Sequence, residues 1–221
     1  MAFALNGQLR WRLVPVYICA QYLGGFLAAL LLYVNYNEAI DSLDGGRHSS
    51  FGSANSTGHI FATYPGPWVS VWGSLLDQIV GTALLLFSLC AVTDKNNAGL
   101  EDRHQPIIIA FVIGLICLAF SPNCGAILNP ARDLAPRLVT SILGYSAPSV
   151  WSPVQGVYWL VAGVVGPHLG AILGVFAYKG LIGRALRTKR HFDEPGSPMD
   201  TSDKYQVQQH QLQAKFAQTQ H

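Results

Sequence analysis

Residues 125–138 read Gly125-Ala-Ile-Leu-Asn-Pro-Ala-Arg-Asp-Leu-Ala-Pro-Arg-Leu138, an apolar run broken by Asn129-Pro130 and carrying Arg132, Asp133 and Arg137. On a lipid-facing helix these charges would be very costly. A half-helix entering the membrane beside a water-filled cavity tolerates them, because irregular backbone is permitted where it lines a lumen. Pro130 suits the first helical position, where its missing N–H costs nothing, and Asn129 suits the cap. The free N–H groups of Ala131 and its neighbours, at the positive dipole end, would point at the membrane midplane, repel cations and offer donors to a passing oxygen. Asn129 adds an amide donor there. Arg132, almost one turn deeper, adds a fixed cation with five donors. Asp133 and Arg137 form an i,i+4 pair. Such a set suits an uncharged, hydroxyl-bearing permeant while barring protons and cations.

The surroundings fit a membrane protein. Of 221 residues, 50% are apolar and only 12% charged, and the mean hydropathy is +0.29. A soluble domain carries about 25% charged residues, so the missing charge argues against a soluble enzyme and a disordered chain. A net charge of +2 and a pI near 8.4 are too mild for a nucleic-acid surface. Charge-free gaps place membrane spans at residues 13–37, 69–93, 106–120 and 155–182, with the re-entrant segment at 126–143. Gly24-Gly25 with Ala28-Ala29 offers a small-residue face for helix contact. Residues 41–67 read as a long surface loop and Ser146–Pro153 as another. Asp77-Gln78, inside the second span, should face protein or water rather than lipid. Residues 184–221 read as a disordered tail.

Basic residues set the orientation. Arg10 and Arg12 precede the first span, and Arg184, Arg187, Lys189 and Arg190 follow the last, so both termini are expected in the cytoplasm. The 41–67 loop then lies outside, where Asn55-Ser-Thr57 is a glycosylation acceptor. No secretory leader is expected after Met1. Cys19, Cys90 and Cys117 lie in apolar runs as packing thiols; Cys124 lies in the breaker before the half-helix, and packing is its expected role too. The seven histidines show no metal spacing, and His168 reads as a helix-packing residue. No metal or other cofactor is expected. An intramembrane enzyme would need a catalytic set that Asp77 and Asp133 do not supply.

The 125–138 stretch resembles the second Asn-Pro-Ala motif of the major intrinsic proteins, in particular their aquaglyceroporin branch. Ala20-Gln-Tyr-Leu-Gly24, Asp77-Gln-Ile-Val-Gly-Thr82 and Gly166-Pro-His-Leu-Gly170 resemble that family's third, fourth and sixth spans, and Met1–Leu9 resembles the stretch after its first Asn-Pro-Ala. The resemblance implies an all-α membrane protein: an incomplete aquaporin-like bundle of four transmembrane helices, one re-entrant half-helix and a remnant of another at 1–12. The channel domain would span 1–183. Arg132 would be the filter arginine and Asn129 the central donor, with Ala126 at a filter position. Asp133, Gln78 and Val164 match the glycerol pattern, while Gly163 stands in place of a pore-shaping proline. The implied function is passive transport of glycerol, water and similar small neutral solutes through a homo- or hetero-tetramer in the lipid bilayer, by default the plasma membrane.

The departures imply a truncated front, lacking two spans and the first Asn-Pro-Ala. The link Phe120–Cys124 is also a turn short. An inner face bearing Asn129, Arg132, Asp77 and Gln78 would then meet lipid, so a tight pore is not expected from the chain alone. The alternative function is a non-conducting isoform that associates with and modulates six-span subunits.

Overall fold

The computed structural model of the chain describes residues 1–97, 100–153, 156–186 and 188. Among these the regular structure is entirely helical. Four helices are long and apolar enough to cross a membrane: Trp11–Asp44, Val71–Thr93, Gln105–Cys124 and Tyr158–Leu186. These four spans make a multi-pass helical bundle.

A short helix α1 (Ala2–Leu5) comes first, its Ala2 packed with Leu86, Cys90, Val175 and Tyr178. Helix α2 (Val14–Asp44) opens on Pro15 and ends at Gly45, whose φ of 66° closes the last turn by donation to Asp41 O. It runs past the expected end at residue 37. Glu38 and Asp41 lie beyond the apolar stretch but do not stop a helix; the left-handed stop waits for Gly45. The connection between the first two spans therefore begins at Gly45 rather than at residue 41.

Helix α3 (Val71–Thr93) is capped by Ser70, whose hydroxyl accepts from Gly73 N at 3.1 Å. Helix α4 (Gln105–Cys124) runs through Pro122, so the expected link after residue 120 is helical. Pro122 forfeits one hydrogen bond close to the helix end, where few remain to lose. The Ser121 hydroxyl donates to the Cys117 carbonyl, and Gly125, at φ 71°, ends the helix.

Residues 126–129 are non-helical, and α5 (Pro130–Ile142) follows. The expected loop at 146–153 contains a helix, α6 (Ala147–Trp151). The last span is built from α7 (Tyr158–Leu160), a π-helical turn (Val161–Val165), α8 (Gly166–Tyr178) and a second π-helical turn (Lys179–Gly183). It continues to Leu186, so Arg184–Leu186 belong to the helix and not to a tail. Gln155, Arg187 and residues 189–221 of the expected span and tail lie outside the described residues.

Two close crossings organise the bundle. A Cβ at Gly170 would strike Ile79 O and stand 2.8 Å from Thr82 Cβ, and one at Gly174 would strike Ala83 O, so α8 lies backbone-to-backbone on α3. A Cβ at Gly25 would stand 3.1 Å from Ala131 O and 3.2 Å from Ala135 Cβ, which puts α2 tightly against α5. Without a hydrophobic drive between helices in lipid, such close contact supplies the association energy. The outward faces stay apolar: Leu118, Val34, Phe111 and Leu31 are all strongly exposed. A buried cluster of Ala29, Ile40, Phe61, Val139, Tyr145 and Val150 joins α2, α5, α6 and the connection between the first two spans at one end.

Candidate functional site

The site is built around the broken segment. Gln78 of α3 is fully buried and clamps the extended backbone ahead of α5. Its Oε1 accepts from Ile127 N (3.0 Å) and Leu128 N (3.2 Å), while its Nε2 donates to Gly125 O (2.9 Å). An amide can do both; a carboxylate offers acceptors only. Gln78 is thus a structural brace enclosed by protein and not part of an exposed inner face. Asp77 is partly buried beside it, accepting from Asn123 Nδ2 (2.8 Å), Gln78 Nε2 (3.0 Å) and the Cys124 thiol (3.3 Å). Cys124 itself is fully buried.

Gly125 has to be glycine for two reasons. Its φ is positive, and a Cβ there would stand 2.8 Å from Thr63 Cγ2. Leu128 also takes a positive φ, 55°. These turns deliver Asn129 to the cap of α5, where its Oδ1 accepts from Ala131 N (3.0 Å) and its Nδ2 donates to Gln21 Oε1 (3.1 Å). Pro130 holds the first helical turn.

Helix α5 separates its two arginines. Arg137 is wholly buried: Nε donates to Asp133 Oδ2 (3.1 Å), Nη2 to Oδ2 (3.0 Å) and to Thr63 O (2.5 Å), and Nη1 to Val150 O (2.6 Å). Asp133, equally buried, also accepts from Thr63 N (2.7 Å) and Thr63 Oγ1 (2.6 Å). Tyr64 covers the guanidinium, its ring centre 4.7 Å away. Arg132, in contrast, is exposed and donates from Nη1 to Phe61 O at 3.4 Å.

A cavity of about 330 Å³ lies between α1, α2, α3, α5 and α8; Gln21, Tyr22, Leu128, Asn129, Pro130 and His168 are among its lining residues. Of the residues expected at a pore, Asn129 and Pro130 face it. Ala126, Ala131, Arg132 and Val164 do not line it, and neither do the interior residues Gln78, Asp133, Arg137 and Gly163. A Cβ on Gly163 would come within 3.4 Å of Asp133 Oδ2, so this glycine, in the first π-helical turn, abuts the buried ion pair. His168 bonds Val164 O through Nδ1 at 2.8 Å, as a packing residue would, but it also lines the cavity. Asn55 is exposed, whereas Thr57 of the same acceptor triplet is buried.

Residues 1–178 match the sequence model of the major intrinsic proteins. The chain belongs to the major intrinsic protein family. It is 40% identical to aquaporin-2 of Milnesium tardigradum over 183 residues, which is 83% of this chain and 56% of that protein. It is 38% identical to human aquaporin-10 over 182 residues, 82% of this chain and 59% of that one. This major intrinsic protein therefore spans a little over half the length of the curated relatives it matches. Its fold is also that of the aquaglyceroporin from Plasmodium falciparum, with a TM-score of 0.71, 22% identity, and coverage of 84% of this chain and 71% of that one.

Three contributors to the site of this major intrinsic protein were not singled out from sequence. Gln21 sits inside the quoted Ala20–Gly24 stretch without a role of its own, and His168 inside the Gly-Pro-His motif is read there as helix packing. Thr63, from the connection between the first two spans, carries no local signal at all; only the fold brings it to Asp133.

Proposed function

We propose that this chain is a channel subunit for passive transport of glycerol, water and similar small neutral solutes. The observation that carries this reading is the cap of α5: Asn129, exposed at the cavity, uses Oδ1 on its own helix and spends one Nδ2 hydrogen on Gln21 Oε1, which leaves the other for a solute. A donor at the positive end of a helix passes a hydroxyl oxygen and resists a cation. Arg132, exposed with a single long bond to Phe61 O, retains donors for the same oxygen. Ala126 contributes a small, half-buried side chain in the extended segment ahead of that cap. Asp133, Arg137, Gly163, Val164 and Gln78, the glycerol-type positions, act by holding that face in place rather than by touching solute. The subunit works in a tetramer, in the plasma membrane, with both termini cytoplasmic and Asn55 as the glycan acceptor outside.

A second reading, association with six-span subunits without conduction by this chain alone, is favoured by the exposure of both Asn129 and Arg132. Proteoliposome swelling in glycerol separates the two. Flux from the chain alone that falls on Arg132→Ala supports conduction. No flux alone, with altered flux when it is co-expressed with a six-span aquaglyceroporin, supports association. Glycerol flux unchanged by Arg132→Ala and Asn129→Ala would sink the assignment of the site.

A further inference from the structure

The ring of His168 is committed on one side only. Its Nδ1 stands 2.8 Å from Val164 O. A carbonyl oxygen can only accept, so Nδ1 carries the hydrogen and the neutral ring keeps its lone pair on Nε2. Among the described residues Nε2 has no partner, and it is not one of the enclosed polar atoms. His168 is half-buried and lines the cavity, which leaves this acceptor open to whatever enters there. A second polar group on the cavity is also unspent: the Thr82 hydroxyl of α3 is enclosed and lacks a hydrogen-bond partner. An enclosed polar group without a partner calls for a small polar occupant. Much of the remaining wall is apolar, with Ile18, Leu86 and Leu128 on it.

We infer that His168 contacts the solute and sets its specificity. Nε2 accepts a hydroxyl hydrogen from the same polyol whose oxygen takes the free Nδ2 hydrogen of Asn129, while the carbon chain lies on Ile18, Leu86 and Leu128. This rests on the channel reading above and adds an acceptor to it. Donors alone rank solutes by their oxygens. A donor and an acceptor on one cavity favour molecules that carry both groups, as every hydroxyl of a polyol does. A solute with oxygens but no hydrogen to give leaves the Nε2 lone pair unpaired and is disfavoured. Val164, whose side chain does not line the cavity, acts through its carbonyl: the bond to Nδ1 decides which ring nitrogen stays open.

Two measurements separate solute contact from packing: proteoliposome swelling in glycerol, scaled to inserted protein, and thermal unfolding in detergent. His168→Asn puts an amide N–H where Nδ1 stood, keeping a donor for Val164 O and dropping the acceptor. His168→Gln puts an amide oxygen where Nε2 stood, and His168→Leu fills the volume with neither. Solute contact predicts that the Gln variant conducts within about twofold of the parent, while the Asn and Leu variants lose about fivefold, the worth of one neutral hydrogen bond. The Asn variant should also melt with the parent. A packing role gives the reverse order, Asn like the parent and Gln impaired, and would overturn the inference, as would a Leu variant that conducts like the parent. Flux that falls on Asn129→Ala but ignores all three His168 variants keeps the channel reading and removes His168 from it. Absence of any flux attributable to the chain, alone or co-expressed with a six-span aquaglyceroporin, refutes both.

Discussion

Replacing Asp133 by Ala should be among the most damaging single changes in the chain. The side chain is completely buried and accepts hydrogen bonds from Arg137 Nε and Nη2 and from Thr63 N and Oγ1. Its removal leaves the Arg137 guanidinium, also completely buried, without its counter-charge. Breaking a buried pair from one side costs about 3–5 kcal/mol. For a chain of this size each kcal/mol moves the melting point by about 2–4 °C, so the loss is roughly 6–20 °C. The control is the double variant Asp133→Leu/Arg137→Met, which removes both charges and keeps most of the volume. It should recover a large part of the deficit, since the cost lies in the orphaned charge rather than in the missing attraction. Thermal unfolding of the purified protein in detergent, followed by tryptophan fluorescence, reads both. If Asp133→Ala melts within a degree or two of the parent, the pair does not lock α5. If the double variant is no better than the single, the deficit has another source.

Three further outcomes follow from the geometry. Gln78→Glu keeps acceptors for Ile127 N and Leu128 N but sets a carboxylate against Gly125 O; it should cost about 1–3 kcal/mol in the same melting assay, and a neutral result would remove Gln78 as the clamp. Gly174→Leu should abolish a monodisperse peak in size-exclusion chromatography, because a side chain there meets the Ala83 backbone, whereas Gly24→Leu, with nothing within 4 Å of its Cβ, should elute like the parent. Thr57→Val removes the donor to Asp44 and the partner of Tyr145; limited proteolysis within residues 45–67 should speed up by roughly an order of magnitude, matching about 1.5 kcal/mol for a hydrogen bond to a charged group.

What could be read in advance was whatever rests on neighbours in sequence. Asn129 as cap and Pro130 at the first turn depend on two adjacent residues, and the Asp133–Arg137 pair depends on a spacing of four. The span positions depend on runs of apolar residues. Helix ends were less accessible. Hydropathy stops at the first charge, but α2 stops at the first glycine able to turn left-handed, so Glu38 and Asp41 misled and Gly45 decided. Pro122 misled in the same way, since a proline near a helix end removes little. Most opaque were the long-range partners. Gln78 and residues 125–128 lie far apart in the chain, as do Thr63 and Asp133, and neither pairing leaves a periodic trace. The clamp was legible only as a residue that lipid would reject, which restricts where Gln78 points without naming what it holds.

In the proposed channel the two arginines of α5 divide folding and transport between them. Arg137 commits Nε, Nη1 and Nη2 to Asp133, Val150 O and Thr63 O, and a guanidinium so engaged and wholly buried is out of a solute's reach. Arg132, five positions earlier, faces the other way with one bond of 3.4 Å. An offset of five residues turns the two side chains about 140° apart around the helix, which leaves Arg137 inside protein and Arg132 exposed. A charge can be kept at membrane depth only if something fixes it there. Here α5 is gripped from two nearly opposite sides, by the Asp133–Arg137 pair and by the close approach of Gly25 to Ala131 and Ala135. The exposed side is thereby free to present an unspent cation and the Asn129 amide. A donor face that must release each solute quickly cannot also be the face that holds the helix, because tight fixation demands saturated donors and fast exchange demands unsaturated ones.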